Sequence, residues 1–273
     1  MAYKISMKKR IVVVDSGLGG LFVLKECEKI IGGYDFIYVA DTFNAPYGSK
    51  GKQELKKIAE GMVGELIKKY NPEMVILACN TLTVNTINFL RQKFRSVVFV
   101  GVEPALKQAK IYGGDTVVLA TPATQKKFKI LERKVERELK KEYRLSGLRY
   151  QNDDKVFLIA DVALASKIES NFENLDNILP YIKKLFSAQK FVKVQNLVLG
   201  CTHYLAIKKQ LNLIVPNATI FDCSMAVAAH AKSLLTKKQR LIKNKTNIKF
   251  VSTDGNKNYI KKLEKYYNLI KNN

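Results

Sequence analysis

The sequence predicts an α/β fold with largely parallel sheets, built as two related halves that face each other across a cleft. Short apolar runs alternate with helical stretches along the whole chain, the pattern of parallel strands joined by helices. A second observation is an internal echo. Val75-Ile76-Leu77-Ala78-Cys79-Asn80-Thr81 and Leu197-Val198-Leu199-Gly200-Cys201-Thr202-His203 share one construction: a buried strand, a small residue, a cysteine, then polar groups opening a helix. The two copies lie close to half a chain apart, which puts one cysteine on each wall of a shared cleft.

The elements follow in order. Ile11 to Val14 is a buried strand running into Asp15-Ser16-Gly17-Leu18-Gly19-Gly20, and the next helix carries Leu21, Leu24, Cys27 and Ile31 on one face. Phe36 to Ala40 is a strand and Asp41 to Lys50 a loop. From Lys52 to Tyr70 apolar residues fall at 55, 58, 59, 62, 63, 66, 67 and 70, a helical period ended by Asn71-Pro72. Met74 to Ala78 returns as a strand. In the second half, Thr116 to Ala120 is a strand and Gln125 to Tyr143 a basic amphipathic helix. Val156 to Ile159 and Leu197 to Leu199 are strands separated by helical sequence around Leu175 to Phe186. After Pro216 come a strand at Thr219 to Phe221, a helix from Met225 to Leu235, a strand at Ile248 to Val251 and a helix from Tyr259 to Ile270.

The 273 residues, 47% hydrophobic and 26% charged, describe a globular chain long enough to bury a substantial core. The net charge of +23 resides in lysine-rich stretches such as Lys126 to Arg144 and the tail after Lys237. Such a surplus attracts nucleic acid or anionic surfaces nonspecifically, but no arginine-rich arm or finger spacing accompanies it. A lysine-biased solvated surface is therefore preferred, with no nucleic-acid partner expected. The basic start, Met1 to Arg10, leads into an apolar run that Asp15 stops, too short for a signal-peptide core or a membrane span. A cytoplasmic location without membrane contact is expected. Cysteines stand at 27, 79, 201 and 223 with no pair at metal-ligand spacing, so free thiols and no metal are expected.

Ligands of open parallel sheets bind beyond the carboxyl ends of the strands, where Cys79 and Cys201 both fall. A helix N-terminus beside each favours the thiolate. A single cysteine after an apolar strand is more often a small buried residue, but the paired context reverses that preference. Cys27, on an apolar helix face, and Cys223 stay structural. Asn80, Thr81 and Thr202 offer hydroxyl, amide and N–H donors to a carboxylate. The Gly17-Leu18-Gly19-Gly20 turn lacks the spacing of a nucleotide-binding loop. His203 is placed to tune the neighbouring thiol or relay a proton. Asp15 can play the matching part near Cys79 or hold a substrate ammonium.

Asp15-Ser16-Gly17-Leu18-Gly19-Gly20, Asp41 through Pro46-Tyr47-Gly48, Ala78-Cys79-Asn80-Thr81, Gly101-Val102-Glu103-Pro104-Ala105, Leu119-Ala120-Thr121 with Thr124, and Leu199-Gly200-Cys201-Thr202-His203-Tyr204 occur in this order, followed by Ser252-Thr253-Asp254. In this ordered set, which covers nearly the whole chain, the sequence resembles the glutamate racemases of the aspartate/glutamate racemase superfamily. The resemblance implies two pseudo-symmetric open α/β domains with largely parallel sheets and the active site in the cleft between them. It places residues 1–104 with 218–273 in the first domain, the end of the chain crossing back, and 105–217 in the second.

The resemblance also implies cofactor-independent chemistry, with no pyridoxal phosphate or metal. One cysteine thiolate removes the Cα proton of glutamate and the other thiol delivers one to the opposite face, Cys79 acting on D-glutamate and Cys201 on L-glutamate. It implies that Asp15, Ser16, Tyr47, Gly48, Asn80, Thr81, Thr121, Thr124, Thr202 and His203 bind substrate or assist. The product would be D-glutamate for bacterial peptidoglycan, and a homodimer is compatible with the family.

The sequence departs from the family pattern at Leu205, at Leu82-Thr83 and most of all from Asp161 to Ile168, where relatives carry Cys-Pro and a second Pro. Glu169 still matches a glutamate that assists the second cysteine. Two alternatives remain open: an aspartate racemase or another two-cysteine relative, and a binding protein that keeps the fold for nucleic acid or a gyrase-like partner.

Overall fold

The computed structural model describes residues 9–146, 149–150, 153–187, 191, 193–235 and 246–272. The basic start of the chain through residue 8 and residues 236–245 of the lysine-rich tail lie outside the described residues.

The chain divides into two compact units. The first comprises the described residues of Met1–Ala45, Gln53–Val102 and Ser224–Asn273. Its sheet contains β1 (Lys9–Asp15), β2 (Tyr34–Ala40), β3 (Met74–Leu77), β4 (Val98–Gly101) and, from the end of the chain, β9 (Ile248–Ser252). The order is β4-β3-β1-β2-β9 and every pairing is parallel. Parallel neighbours need crossovers, supplied here by α1 (Leu21–Ile30), α2 (Lys52–Tyr70) and α3 (Asn80–Lys93), with α9 (Ser224–Leu234) and α10 (Lys257–Asn272) completing the unit. Ile11 to Val14 are wholly buried, which is why the central strand reads as an unbroken apolar run rather than an alternation.

The second unit comprises Pro46–Lys52 and Glu103–Cys223. Its sheet joins β5 (Thr116–Ala120), β6 (Val156–Ala160), β7 (Asn196–Gly200) and β8 (Thr219–Phe221) in the order β6-β5-β7-β8, again all parallel. Its helices are α4 (Leu106–Tyr112), α5 (Pro122–Leu145), α6 (Leu164–Ser170), α7 (Leu179–Leu185) and α8 (Lys208–Ile214). Short 3-10 turns span Leu175–Ile178 and Thr202–Ile207. Phe128, Leu131, Val135 and Leu139 form one stripe of α5 and pack on Val118 and Ala120 of β5 and Val198 of β7.

The alternating strands and helices match the expected architecture, with differences of detail. Thr219–Phe221, placed with the first domain from 218 onward, pairs with β7 and belongs to the second unit. Pro46–Lys52 joins the second unit as well. The helix expected from Gln125 starts at Pro122, because Thr121 caps it and proline suits a first helical position. β4, α4, α6 and α8 were not singled out in the sequence. Each has only four to seven residues, too few for a period to show.

Candidate active site

In the first unit the parallel register sets Val14 beside Leu77, so Asp15-Ser16 and Ala78-Cys79 leave adjacent strands together. The amide of Ala78 donates to Val14 O at 2.7 Å, extending that pairing to the last residue before the thiol. Asp15 is buried, and its Oδ1 accepts the amide of Gly17 at 2.9 Å. The Tyr38 hydroxyl donates to Gly17 O at 2.6 Å. A Cβ on Gly20 would lie 2.6 Å from Asp15 Cβ and 2.8 Å from Tyr38 Oη, so the glycine-rich turn folds back on Asp15 and only glycine fits there.

Cys79 is 6% exposed and occupies the N-cap of α3 with extended backbone. The free amides of a 14-residue helix therefore lie just beyond its thiol. Ser16 Oγ stands 4.0 Å from Cys79 Sγ, a long contact of the kind catalytic groups show before substrate tightens them. Thr83 Oγ1 donates to Leu77 O at 3.0 Å and accepts Val102 N at 3.2 Å, holding α3 to the sheet. Asn85 Nδ2 donates to Thr81 O at 2.8 Å. Asn80 differs: it is 1% exposed, and neither Oδ1 nor Nδ2 makes a hydrogen bond. A buried amide left this way costs roughly 1–3 kcal/mol, a penalty that a bound polar ligand removes.

In the second unit Ala120 pairs with Gly200, so Thr121 and Cys201 likewise follow adjacent strand ends. A Cβ on Gly200 would sit 2.8 Å from the Leu119 carbonyl oxygen, which explains the small residue before this cysteine. Cys201 is 8% exposed, and Thr202 and His203 are buried. The α-helix expected to open here is instead the six-residue 3-10 turn Thr202–Ile207, closed at its start by Tyr204 N donating to Cys201 O at 3.1 Å. The helix-dipole argument that applies to Cys79 is correspondingly weak for Cys201.

A charged ring stands in its place. His203 Nδ1 lies 3.9 Å from Cys201 Sγ, and Nε2 lies 2.7 Å from Glu169 Oε2. Burial opposes the imidazolium. The hydrogen bonds with Cys201 and Glu169 and their negative charges outweigh it, holding the pKa of His203 well above its usual 6.5. The Tyr204 phenol is pushed far up by burial and by the charges of Cys201, Asp161 and Tyr181, and its hydroxyl donates to Ala120 O at 3.4 Å.

The loop bearing Tyr47 and Gly48 reaches the start of α5. Gly48 O accepts Ala123 N at 3.1 Å, and Tyr47 is buried. Thr121 Oγ1 accepts Thr124 N at 3.3 Å and donates to Thr124 Oγ1 at 3.1 Å. The structure thus gathers Asp15, Ser16, Cys79, Asn80 and Thr81 at the carboxyl edge of one sheet. At that edge of the other it gathers Cys201, Thr202, His203 and Glu169, with Thr121, Thr124, Tyr47 and Gly48 around the neighbouring strand end. Cys27 lies apart, its thiol pushed up to about 12 by burial and by Glu26, and Cys223 is buried. Sequence reasoning quoted Tyr204 only as part of a motif, missed Tyr181, and took Asp161 only as a departure. The aspartate three positions before Leu164 is a helix-start signal that marks it. Among the described residues, no group of three or more His, Cys, Asp or Glu side chains is arranged to hold a metal ion, and no helix is long and apolar enough to cross a membrane.

No family model matches the chain. It is similar to the glutamate racemase of Clostridium novyi (strain NT), 34% identical over 264 residues that cover 94% of this chain and 96% of the relative. It is 33% identical to the glutamate racemase of Halothermothrix orenii over 267 residues, covering 96% of this chain and 99% of that one. A crystal structure of a glutamate racemase isoform from Bacillus anthracis matches with a TM-score of 0.78 at 24% identity, covering 95% of this chain and 93% of that chain, a likeness of fold.

Proposed function

This chain belongs to the glutamate racemase family, and we propose that it interconverts L- and D-glutamate by moving the Cα proton through two thiols, Cys79 and Cys201, without a cofactor. Inverting a stereocentre needs a proton taken from one face and another delivered to the opposite face. A single base would require the substrate to turn over within the site. In the proposed step one thiolate takes the Cα proton and becomes a thiol. The electron pair left on Cα spreads into the substrate carboxylate, and the second thiol gives its proton to the other face and becomes the thiolate. The reverse direction exchanges the roles.

The observation that carries this reading is that each of the two sheets ends in a buried cysteine with its own polar partner, Ser16 Oγ for Cys79 and His203 Nδ1 for Cys201. The supports differ in kind. Cys79 has a hydroxyl and the amides of a helix N-terminus, both of which favour a thiolate. Cys201 has an imidazolium kept charged by Glu169, which does the same through a neighbouring positive charge. Asn80, with its unpartnered carboxamide, is read as a substrate contact together with Thr81, Thr121, Thr124, Thr202, Tyr47 and Gly48, and Asp15 as the partner of the substrate ammonium. The D-glutamate formed is read as a supply for peptidoglycan made in the cytoplasm, a reading that rests on family membership.

A substrate panel tests the assignment. Purified protein without added cofactor is followed by circular dichroism on L-glutamate and on L-aspartate. The proposal requires glutamate to lose its signal faster. Faster inversion of aspartate would reassign the substrate, and inversion of neither would leave a fold kept for binding.

A further inference from the structure

The seven-residue α6 has to bring Glu169 to His203 Nε2, yet it buries only Leu164 and Ile168, and Ala163 at its N-cap contributes no side-chain hydrogen bond. Asp161 supplies what is missing. Its Oδ1 accepts the amides of Ala163 at 2.9 Å and Leu164 at 2.6 Å, capping the first turn. Its own amide donates to Ala120 O at 3.0 Å, so the cap is tied to the strand end that precedes Thr121. Its second oxygen, Oδ2, accepts the hydroxyl of Tyr181 at 2.8 Å.

Tyr181, on α7, holds α6 at two points. Its hydroxyl anchors the aspartate before the helix, and the Lys167 ammonium lies 4.7 Å from the centre of its ring one turn further on. Burial, the hydrogen bond to Asp161 and that carboxylate's charge push the phenol up to about 12, so it remains a donor through neutral pH. Asp161, Ala163, Leu164 and Lys167 all fall in the stretch where the sequence leaves the family pattern.

We propose that Asp161, held by Tyr181, is the positioning residue that sets Glu169 on His203 and thereby the barrier for proton transfer at Cys201. The proposal rests on the two-thiol reading above, and predicts an effect on one of two half-reactions. Because two enantiomers have an equilibrium constant of one, kcat/KM falls equally in both directions whichever half is slowed. The isotope effect separates them. Deuterium on Cα of L-glutamate is taken by Cys201, and on D-glutamate by Cys79.

The test measures kcat/KM and the primary deuterium isotope effect with each Cα-deuterated enantiomer, for wild type, Asp161→Ala, Tyr181→Phe and Asp161→Asn. Asp161→Ala and Tyr181→Phe should lower kcat/KM by about tenfold, the size of one lost orienting hydrogen bond. The isotope effect should rise for L-glutamate and fall toward one for D-glutamate. Asp161→Asn keeps an acceptor for both amides and should recover most of the rate. Lower activity with both isotope effects unchanged would show a merely structural role and overturn the proposal, as would wild-type rates in both Tyr181→Phe and Asp161→Ala. If wild type does not racemise glutamate, or Cys201→Ser still does, the two-thiol reading itself fails and this inference with it.

Discussion

Glu169 Oε2 meets His203 Nε2 at 2.7 Å while the other nitrogen of the same ring faces the Cys201 thiol at 3.9 Å. An imidazolium carries a proton on both nitrogens, so one charged ring serves carboxylate and thiolate together. Cys79 instead faces the Ser16 hydroxyl at 4.0 Å and stands at the start of α3. In the proposed two-thiol reaction the two cysteines would thus be supported by different physics and should respond to different perturbations.

Replacing Glu169 by Gln keeps a hydrogen-bond acceptor and removes the charge that favours the imidazolium. A hydrogen bond to a charged group contributes about 1.5–3 kcal/mol, so kcat/KM for glutamate should fall about tenfold to a hundredfold. Steady-state rates of Glu169→Gln check this, with the far-ultraviolet spectrum unchanged.

The raised pKa of His203 gives stability a definite pH dependence. The folded value lies above the unfolded one of about 6.5, so the charged ring's contribution is complete below about pH 6.5 and is lost as pH rises through the folded value. Melting curves of wild type and His203→Asn should therefore differ more at pH 6 than at pH 9. A gap that is constant, or that widens with pH, would contradict the assignment.

Asn80 should show function and stability pulling apart. Its buried carboxamide makes no hydrogen bond, so Asn80→Ala should leave Tm unchanged or higher while KM for glutamate rises by about tenfold. A Tm lower by many degrees would mean that the amide supports the fold instead.

Much of the fold was legible because buried parallel strands leave unbroken apolar runs, as in Ile11 to Val14, and long helices such as α2 repeat their period often enough to be read. The thiols and His203 were legible from local context at strand ends. Glu169 was marked only by resemblance, since seven residues of α6 show no period and nothing in the spacing links position 169 to 203. The Asp161–Tyr181 bond was invisible for the same reason: its partners lie on different elements and meet only through tertiary packing. The 3-10 turn after Cys201 was also unreadable, because Thr202-His203-Tyr204 serves as well to open an α-helix.

Gly200 offers a check on how the second thiol is placed. An alanine Cβ would come within 2.8 Å of the Leu119 carbonyl oxygen and 3.2 Å of Ala120 Cβ, so strand or side chain has to move. Gly200→Ala should cost about 1–3 kcal/mol, a Tm lower by several degrees, with activity reduced because Cys201 is displaced. Thermal melts and rates measured together decide it.

The most direct measurement incubates L-glutamate in D₂O with wild type, Cys79→Ser and Cys201→Ser, following the circular dichroism signal and deuterium at Cα. Wild type should carry the signal to zero with deuterium in the product, and each serine variant should racemise at least a thousandfold more slowly, roughly the scale for loss of a proton-transfer group. Racemisation at the wild-type rate by either single variant would contradict a mechanism that needs both thiols.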